Sequence, residues 1–484
     1  MWRVRAGPAT EDCYQLACAI NSWSSRSSFL QPGVERAGAA LNDSWSKFTR
    51  KGKRNVGVLQ SLKKIALSSW LNIFLVFLPI GWVAHFESNA GHRKGLGNNV
   101  FTFCFLGIIP LQKLFEFGGE QMACYLGTDL GDLLVISLNN VIEATLAIVL
   151  LSNGELRLLQ ATVIGVVILH LLLIPGISFF IGGARLAHQE LHPHFIQLNQ
   201  TLLSIGVLTF VIPAAIFAAL DRPVIATVSI PVTPAVSDAT RSTFLTISRA
   251  LAIVLLVVYV CSRIYLHNPP GDDEEAKAEH RARENNEEPE VNQYVCIIML
   301  VICIGLMAAT AEWLVENVDE TSKKAPFETE WFGLILLPLL SFAADGIIAV
   351  GTFVRYLIRH FFNGPEPPSI IAKARAIELS IQFMLFWMPF FIILSWGMGT
   401  PLTLLFDFFE ISVLVCACFI VNYVTADSKT NWAEGLAMVA FYVVIAVSAW
   451  HYPGQKSIEI MTTAKESVDE KLMEIAASAN GTAT

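Results

Sequence analysis

LNNVIEATLAIVLL, from Leu138 to Leu151, and LLPLLSFAADGIIAVG, from Leu336 to Gly351, are apolar stretches with a carboxylate in the middle: Glu143 in the first, Asp345 in the second. An ionisable side chain at bilayer depth costs at least about 2.5 kcal/mol on insertion scales, so each one asks for a reason. In the first stretch Asn140 stands three residues and Asn139 four residues before Glu143, spacings that put side chains on one helix face. Two amides and a carboxylate aimed one way form a hard oxygen site suited to Ca²⁺, Mn²⁺ or protons. The plainer alternative for Glu143 is a water-reached carboxyl near a helix end. In the second stretch Pro338 and Gly346 predict a broken or bent helix. A lone Asp beside Gly could there simply cap a half-helix.

The rest of the chain is of the same kind. Of 484 residues, 54% are hydrophobic and 15% charged, against roughly 25% charged in a soluble protein, and mean hydropathy is +0.54. A soluble fold of this size cannot hide that much apolar surface in one core, and disorder needs the opposite composition. A net charge of −8 argues against a nucleic-acid partner. The nine cysteines include no CxxC pair, so neither a disulfide framework nor a zinc site is read. An all-α polytopic membrane protein remains, with the lipid bilayer as its surroundings. Apolar runs near the ~20 residues needed to cross lie at about 65–86, 100–122, 133–152, 160–183, 200–220, 243–266, 292–315, 330–354, 376–397, 402–424 and 433–452, which predicts eleven spans.

The basic cluster Arg50, Lys51, Lys53, Arg54, Lys63 and Lys64 before the first span places the N-terminus in the cytosol. Residues 1–64 read as a cytosolic tail, 65–99 as a first helix and loop, 100–266 and 292–453 as two five-helix units, and 454–484 as a C-terminal tail. Between the units, 267–291 is a solvated acidic linker with Asp272, Asp273, Glu274 and Glu275.

Further polar groups sit in the spans. Glu378 and Gln382 are i,i+4 partners in the ninth, with Ser380 between them; Glu378 could equally be a membrane-edge partner of nearby Arg375. His170 lies in VVILHLLLIPG of the fourth, and a lone histidine is most often a hydrogen-bonded packing residue. The second span closes on Glu120 and the seventh on Glu312 and Glu316. Laying spans two to six over seven to eleven sets Glu120 against Glu312, Glu143 against Asp345, and the fourth span against the ninth. Five helices per half is odd, so the halves are oppositely oriented: one extra helix plus two inverted repeats, with the site between the halves at mid-membrane.

Three segments then carry a resemblance: GELRLLQATVIG (Gly154–Gly165), QLNQTLL (Gln197–Leu203) and PLTLLFDFFEISVLVCACFIVNYVTADSKTNWAEGLAMVAFYVVIAVSAWHYP (Pro401–Pro453). In these, and over about Ile65 to Pro453, the chain resembles the fungal and plant vacuolar calcium/proton exchangers of the cation/calcium exchanger superfamily. The resemblance implies secondary antiport of Ca²⁺ or a related divalent cation against H⁺ at a vacuolar or other endomembrane. It implies no enzyme activity and no cofactor, the cation and proton being cargo, and it leaves self-association into a homo-oligomer open. The family's two GNAxE motifs fall at Asn139–Glu143, which keeps Asn140 and Glu143, and at Ser341–Asp345, where Gly and Asn are replaced and Glu has shortened to Asp. By position, Glu143 and Asp345 would bind cation or protons, Asn140 would add an oxygen, Glu120 and Glu312 would line the approaches, and Gln382 and Ser380 would support. Phe342, Val166 and Leu169 remove oxygens that the family offers, while Asn139 and Glu378 could return an amide and a charge. Exchange of Mn²⁺, Na⁺ or K⁺, and a transport-inactive relative acting as regulator or scaffold, are the alternatives this implies. His170 would favour a transition ion if it faced the site.

Overall fold

A computed structural model describes residues 56–89, 97–126, 128–183, 189–190, 193–220, 236–267, 289–318, 328–361, 375–463 and 467–481. The N-terminal basic residues 50–54, most of the acidic linker and the side chain of Arg375 lie outside the described residues. The described residues are helical almost throughout, as a chain must be where no water is present to satisfy exposed backbone groups. In order the helices are α1 (Val58–Ala66), α2 (Phe77–Asn89), α3 (Gly97–Leu126), α4 (Thr128–Asn139), α5 (Val141–Asn153), α6 (Leu156–Ile168), α7 (Ile174–Gly183), α8 (Pro193–Leu220), α9 (Asp238–His267), α10 (Gln293–Glu316), α11 (Leu337–Phe361), α12 (Arg375–Gln382), α13 (Met388–Met398), α14 (Phe408–Val424), α15 (Trp432–Trp450), α16 (Lys456–Met461) and α17 (Val468–Gly481). One antiparallel ladder pairs Gln189 with Thr430 and Glu190 with Lys429.

Among the described residues nine helical stretches are long and apolar enough to cross a membrane, or ten if α4 and α5, bent by 54°, count as one. The expected tenth span, at 402–424, is the difference. Residues 401–407 are not helical, and α14 starts only at Phe408, 17 residues long. Asp407 accepts from the Phe409 N–H at 2.8 Å while Glu410 reaches back to the Asp407 N–H. This reciprocal cap fixes the helix start.

Three spans carry a π turn: Leu169–Leu173, Phe332–Leu336 and Phe383–Trp387. In each the second residue beyond the turn is a proline, Pro175, Pro338 and Pro389. Proline has no N–H for the carbonyl four residues back and its ring crowds that carbonyl. The helix answers by widening, so that the Ile174, Leu337 and Met388 N–H groups donate five residues back to Leu169, Phe332 and Phe383. Pro338 thus widens its helix without breaking it. The break falls instead in the third span, at Asn140, where no proline stands.

The α6–α7 span lies at the centre, with 72% of its apolar window buried, whereas α9 and α15 have 28% and turn apolar side chains such as Val257 and Val444 outward. Glycines allow the central approach. A Cβ on Gly165 would run into the Leu334 carbonyl and lie 2.7 Å from Pro338 Cγ; one on Gly333 would lie 2.8 Å from Ala161 Cβ. Two segments singled out in the sequence also meet. Arg157 of α6 donates to Glu330 at 2.8 and 2.9 Å, to Glu410 at 3.1 Å and to Asp407 at 3.4 Å. Gln160 donates to the Thr403 and Leu405 carbonyls at 2.9 and 3.0 Å.

Candidate cation-binding site

The break at Asn140 builds the site. Its backbone (φ −98°, ψ 6°) leaves the helical region after α4, and α5 begins at the next residue. Glu143 therefore lies in the first turn of a new half-helix, where unpaired N–H groups favour negative charge. The Asn140 side chain stitches the break to the other repeat: Nδ2 donates to Gln382 Oε1 at 2.6 Å and to the Leu379 carbonyl at 3.4 Å, both on α12. Gln382 donates in turn to Ser137 Oγ at 3.3 Å.

Glu143 is 3% exposed, and neither of its carboxylate oxygens has a hydrogen-bond partner. Ser341 of α11 lies beside it but spends its hydroxyl hydrogen on the Pro338 carbonyl at 2.9 Å. His170, on the π turn of the central span, brings Nε2 to 4.0 Å from Glu143 Oε1. Its Nδ1 lies 2.9 Å from the Val166 carbonyl. A carbonyl only accepts, so in the neutral ring the proton is on Nδ1 and Nε2 keeps its lone pair. Asn140 Oδ1 is also buried without a donor. Buried polar atoms are ordinarily paired. Here the Glu143 carboxylate and the His170 Nε2 lone pair, all acceptors, lie side by side, and Asn140, three residues earlier in sequence, leaves a further buried oxygen without a donor. What satisfies such a group of atoms is a cation or a proton.

The second repeat supplies Asp345, two turns beyond Pro338 on α11. Its side chain is 42% exposed and ion-paired with Lys113 of α3, which also pairs with Glu116. Lys113 is the residue missed in the sequence. IIPLQKLFEF holds an ammonium at mid-span, and the cost of burying charge flags it as strongly as it flags Glu143.

Of the remaining expected residues, Gln382 and Ser380 are buried on α12, Ser380 donating to the Ile377 carbonyl at 2.7 Å. Asn139 and Glu378 are half-buried. Glu120 and Glu312 are exposed. Glu120 is on the part of α3 next to Gln121, which accepts from the Glu290 N–H at 2.8 Å; Glu312 accepts from Asn153 at 3.4 Å. Among the described residues no three His, Cys, Asp or Glu side chains gather tightly enough to cage a metal, so amides and hydroxyls must share in any coordination.

Over 479 aligned residues the chain is 29% identical to a vacuolar calcium ion transporter of Cryptococcus neoformans, covering 83% of this chain and 77% of that one. It is 29% identical over 453 residues to a vacuolar calcium ion transporter of Schizosaccharomyces pombe, covering 91% and 99%. Among solved structures, native YfkE superposes with a TM-score of 0.57 at 22% identity, over 78% of this chain and all of that one, a likeness of fold. The sodium/calcium exchanger protein family matches residues 99–266 and 295–450, the two stretches that carry Glu143 and Asp345, and the chain belongs to that family.

Proposed function

We propose that the protein is a secondary active antiporter that exchanges Ca²⁺, or a related divalent cation, for H⁺ across the vacuolar membrane, with its N-terminus in the cytosol. The observation that carries this is the buried, donor-free set of acceptors around Glu143, which a cation satisfies in one state and a proton in the other. Calcium takes six to eight oxygens. Glu143 and Asn140 supply the core of that set, Ser341, Gln382 and Ser380 stand beside it, and Asp345 adds charge from the second repeat. Asn139 and Glu378 contribute from the margin, and water completes the shell. Glu120 and Glu312 line the approaches. Proton and cation compete for the same carboxylates, so protonation on the acidic side releases the cation. Rocking of one repeat against the other then exposes the site alternately.

The test is uptake of radiolabelled calcium into acid-interior vesicles. Glu143→Gln and Asp345→Asn are each expected to reduce it severely, and uptake that both changes leave intact rejects the assigned site. A second reading, exchange of Mn²⁺, is favoured by one observation, the lone pair of His170 Nε2 beside Glu143, because imidazole suits transition ions better than calcium. His170→Gln is then expected to lower the preference for Mn²⁺ over Ca²⁺ several-fold in a competition assay; an unchanged ratio removes the histidine from the coordination shell.

A further inference from the structure

We infer that Lys113 is a resident cation of the exchange site, a tethered competitor that sets how tightly a divalent ion is held at Asp345. The inference rests on the antiport reading above. Lys113 is 14% exposed and its ammonium is shared by two carboxylates, Asp345 from the second repeat and Glu116 one turn along its own helix. No such charge touches Glu143, whose oxygens have no donor. The two carboxylates that correspond in the repeats are therefore unequal: one is open and the other already holds a positive charge. Two free carboxylates match a divalent ion, whereas one free carboxylate and one occupied by ammonium leave that ion half-compensated.

The geometry also gives the ammonium somewhere to go. Glu116 is 37% exposed and lies on the lysine's own helix, so it keeps its place beside Lys113 however the repeats move. A cation arriving at Asp345 displaces the ammonium onto Glu116, and its departure lets the ammonium return. A tethered group acts at a high effective concentration, so the native site binds divalent ions more weakly than its two carboxylates alone would. Lys113 is thus a specificity-determining residue. It works against double charge, and its removal tilts the site toward divalent ions.

The test is equilibrium binding of Ca²⁺ to the purified full-length protein, measured by titration calorimetry, in parallel with vesicle exchange. Lys113→Met is expected to tighten the Ca²⁺ Kd by at least about tenfold, since a charge at contact distance is worth that much even with substantial screening. Lys113→Arg keeps the charge and retains the weak affinity. Glu116→Gln removes the alternative partner and weakens binding further. A Kd unchanged in Lys113→Met, or equally tightened by Lys113→Arg, overturns the inference. Where Lys113→Met does not yield folded protein, Lys113→Gln and Glu116→Gln decide it by the same criteria. The two readings fail separately. Absence of exchange in every variant, with Ca²⁺ binding still tightened in Lys113→Met, sinks the antiport reading and keeps the resident cation; intact native exchange with an unmoved Kd does the reverse.

Discussion

Glu143 combines three properties: burial inside an apolar helix, a place in the first turn after a break, and no hydrogen bond to either oxygen. Each follows from local chemistry. The apolar neighbours bury it, Asn140 breaks the helix and points its amide at Gln382, and the neighbouring Ser341 hydroxyl is directed at the Pro338 carbonyl. The residue was legible in the sequence because a carboxylate in LNNVIEATLAIVLL is expensive and its i−3 neighbour is an amide. That His170 turns its free nitrogen to the same spot was not legible. Its orientation depends on a π turn, and that register shift of one residue rotates the ring relative to an ordinary helix. Lys113 is marked in the sequence as a charge at mid-span with Glu116 one turn on, but its pairing with Asp345, 232 positions away, becomes visible only when α3 and α11 pack. The His170→Gln and Lys113→Met experiments are tests at this scale, since each changes one atom group and leaves the helices alone.

The helices show how little is needed to steer a span. Three prolines, each two residues past a π turn, widen three helices without breaking them, while an asparagine with no proline nearby breaks a fourth. The sequence marked Pro338 as a place of distortion and was right about the place. It was silent about Asn140, because a polar residue in mid-span can either continue a helix or leave it, and the bond to Gln382 on another element decides. Gly165 is the complementary feature, the point at which α6 meets the Leu334 carbonyl. That carbonyl is the one four residues before Pro338. Gly165→Ala forces the two helices apart and is expected to lower stability by about 1–3 kcal/mol, the usual range for overpacking. The purified variant's thermal unfolding midpoint in detergent checks this, and a midpoint equal to the native one would mean that the helices separate at no cost.

At the scale of the molecule, two repeats are held together at the site by Asn140 and Gln382 and away from it by the Arg157 cluster. Arg157 gathers Glu330, Asp407 and Glu410, and Asp407 also accepts from Tyr452 Oη at 2.7 Å and the Gln455 N–H at 2.9 Å. Glu330, like Asp407 and Glu410, is largely removed from solvent beside the guanidinium. Removing the guanidinium strands three carboxylates in a poorly solvated place. Arg157→Met is therefore expected to cost about 3–5 kcal/mol, read as a large drop in unfolding temperature or loss of folded protein, and a near-native midpoint would assign the cluster no structural role. The segments GELRLLQATVIG and PLTLLFDFFE are far apart in sequence and adjacent in space, which is why they could be recognised as motifs before their contact could be seen. The helical class was equally legible from hydropathy; the number of crossings was less so, because residues 401–407 continue a largely apolar run yet are not helical. All these arrangements surround one buried carboxylate, Glu143, proposed above to trade a cation for a proton. The most direct measurement is radiolabelled calcium uptake into acid-interior vesicles carrying either the native protein or Glu143→Gln. The account predicts proton-driven uptake in the native protein that falls to the level of empty vesicles in the variant, and equal uptake by the two would contradict it.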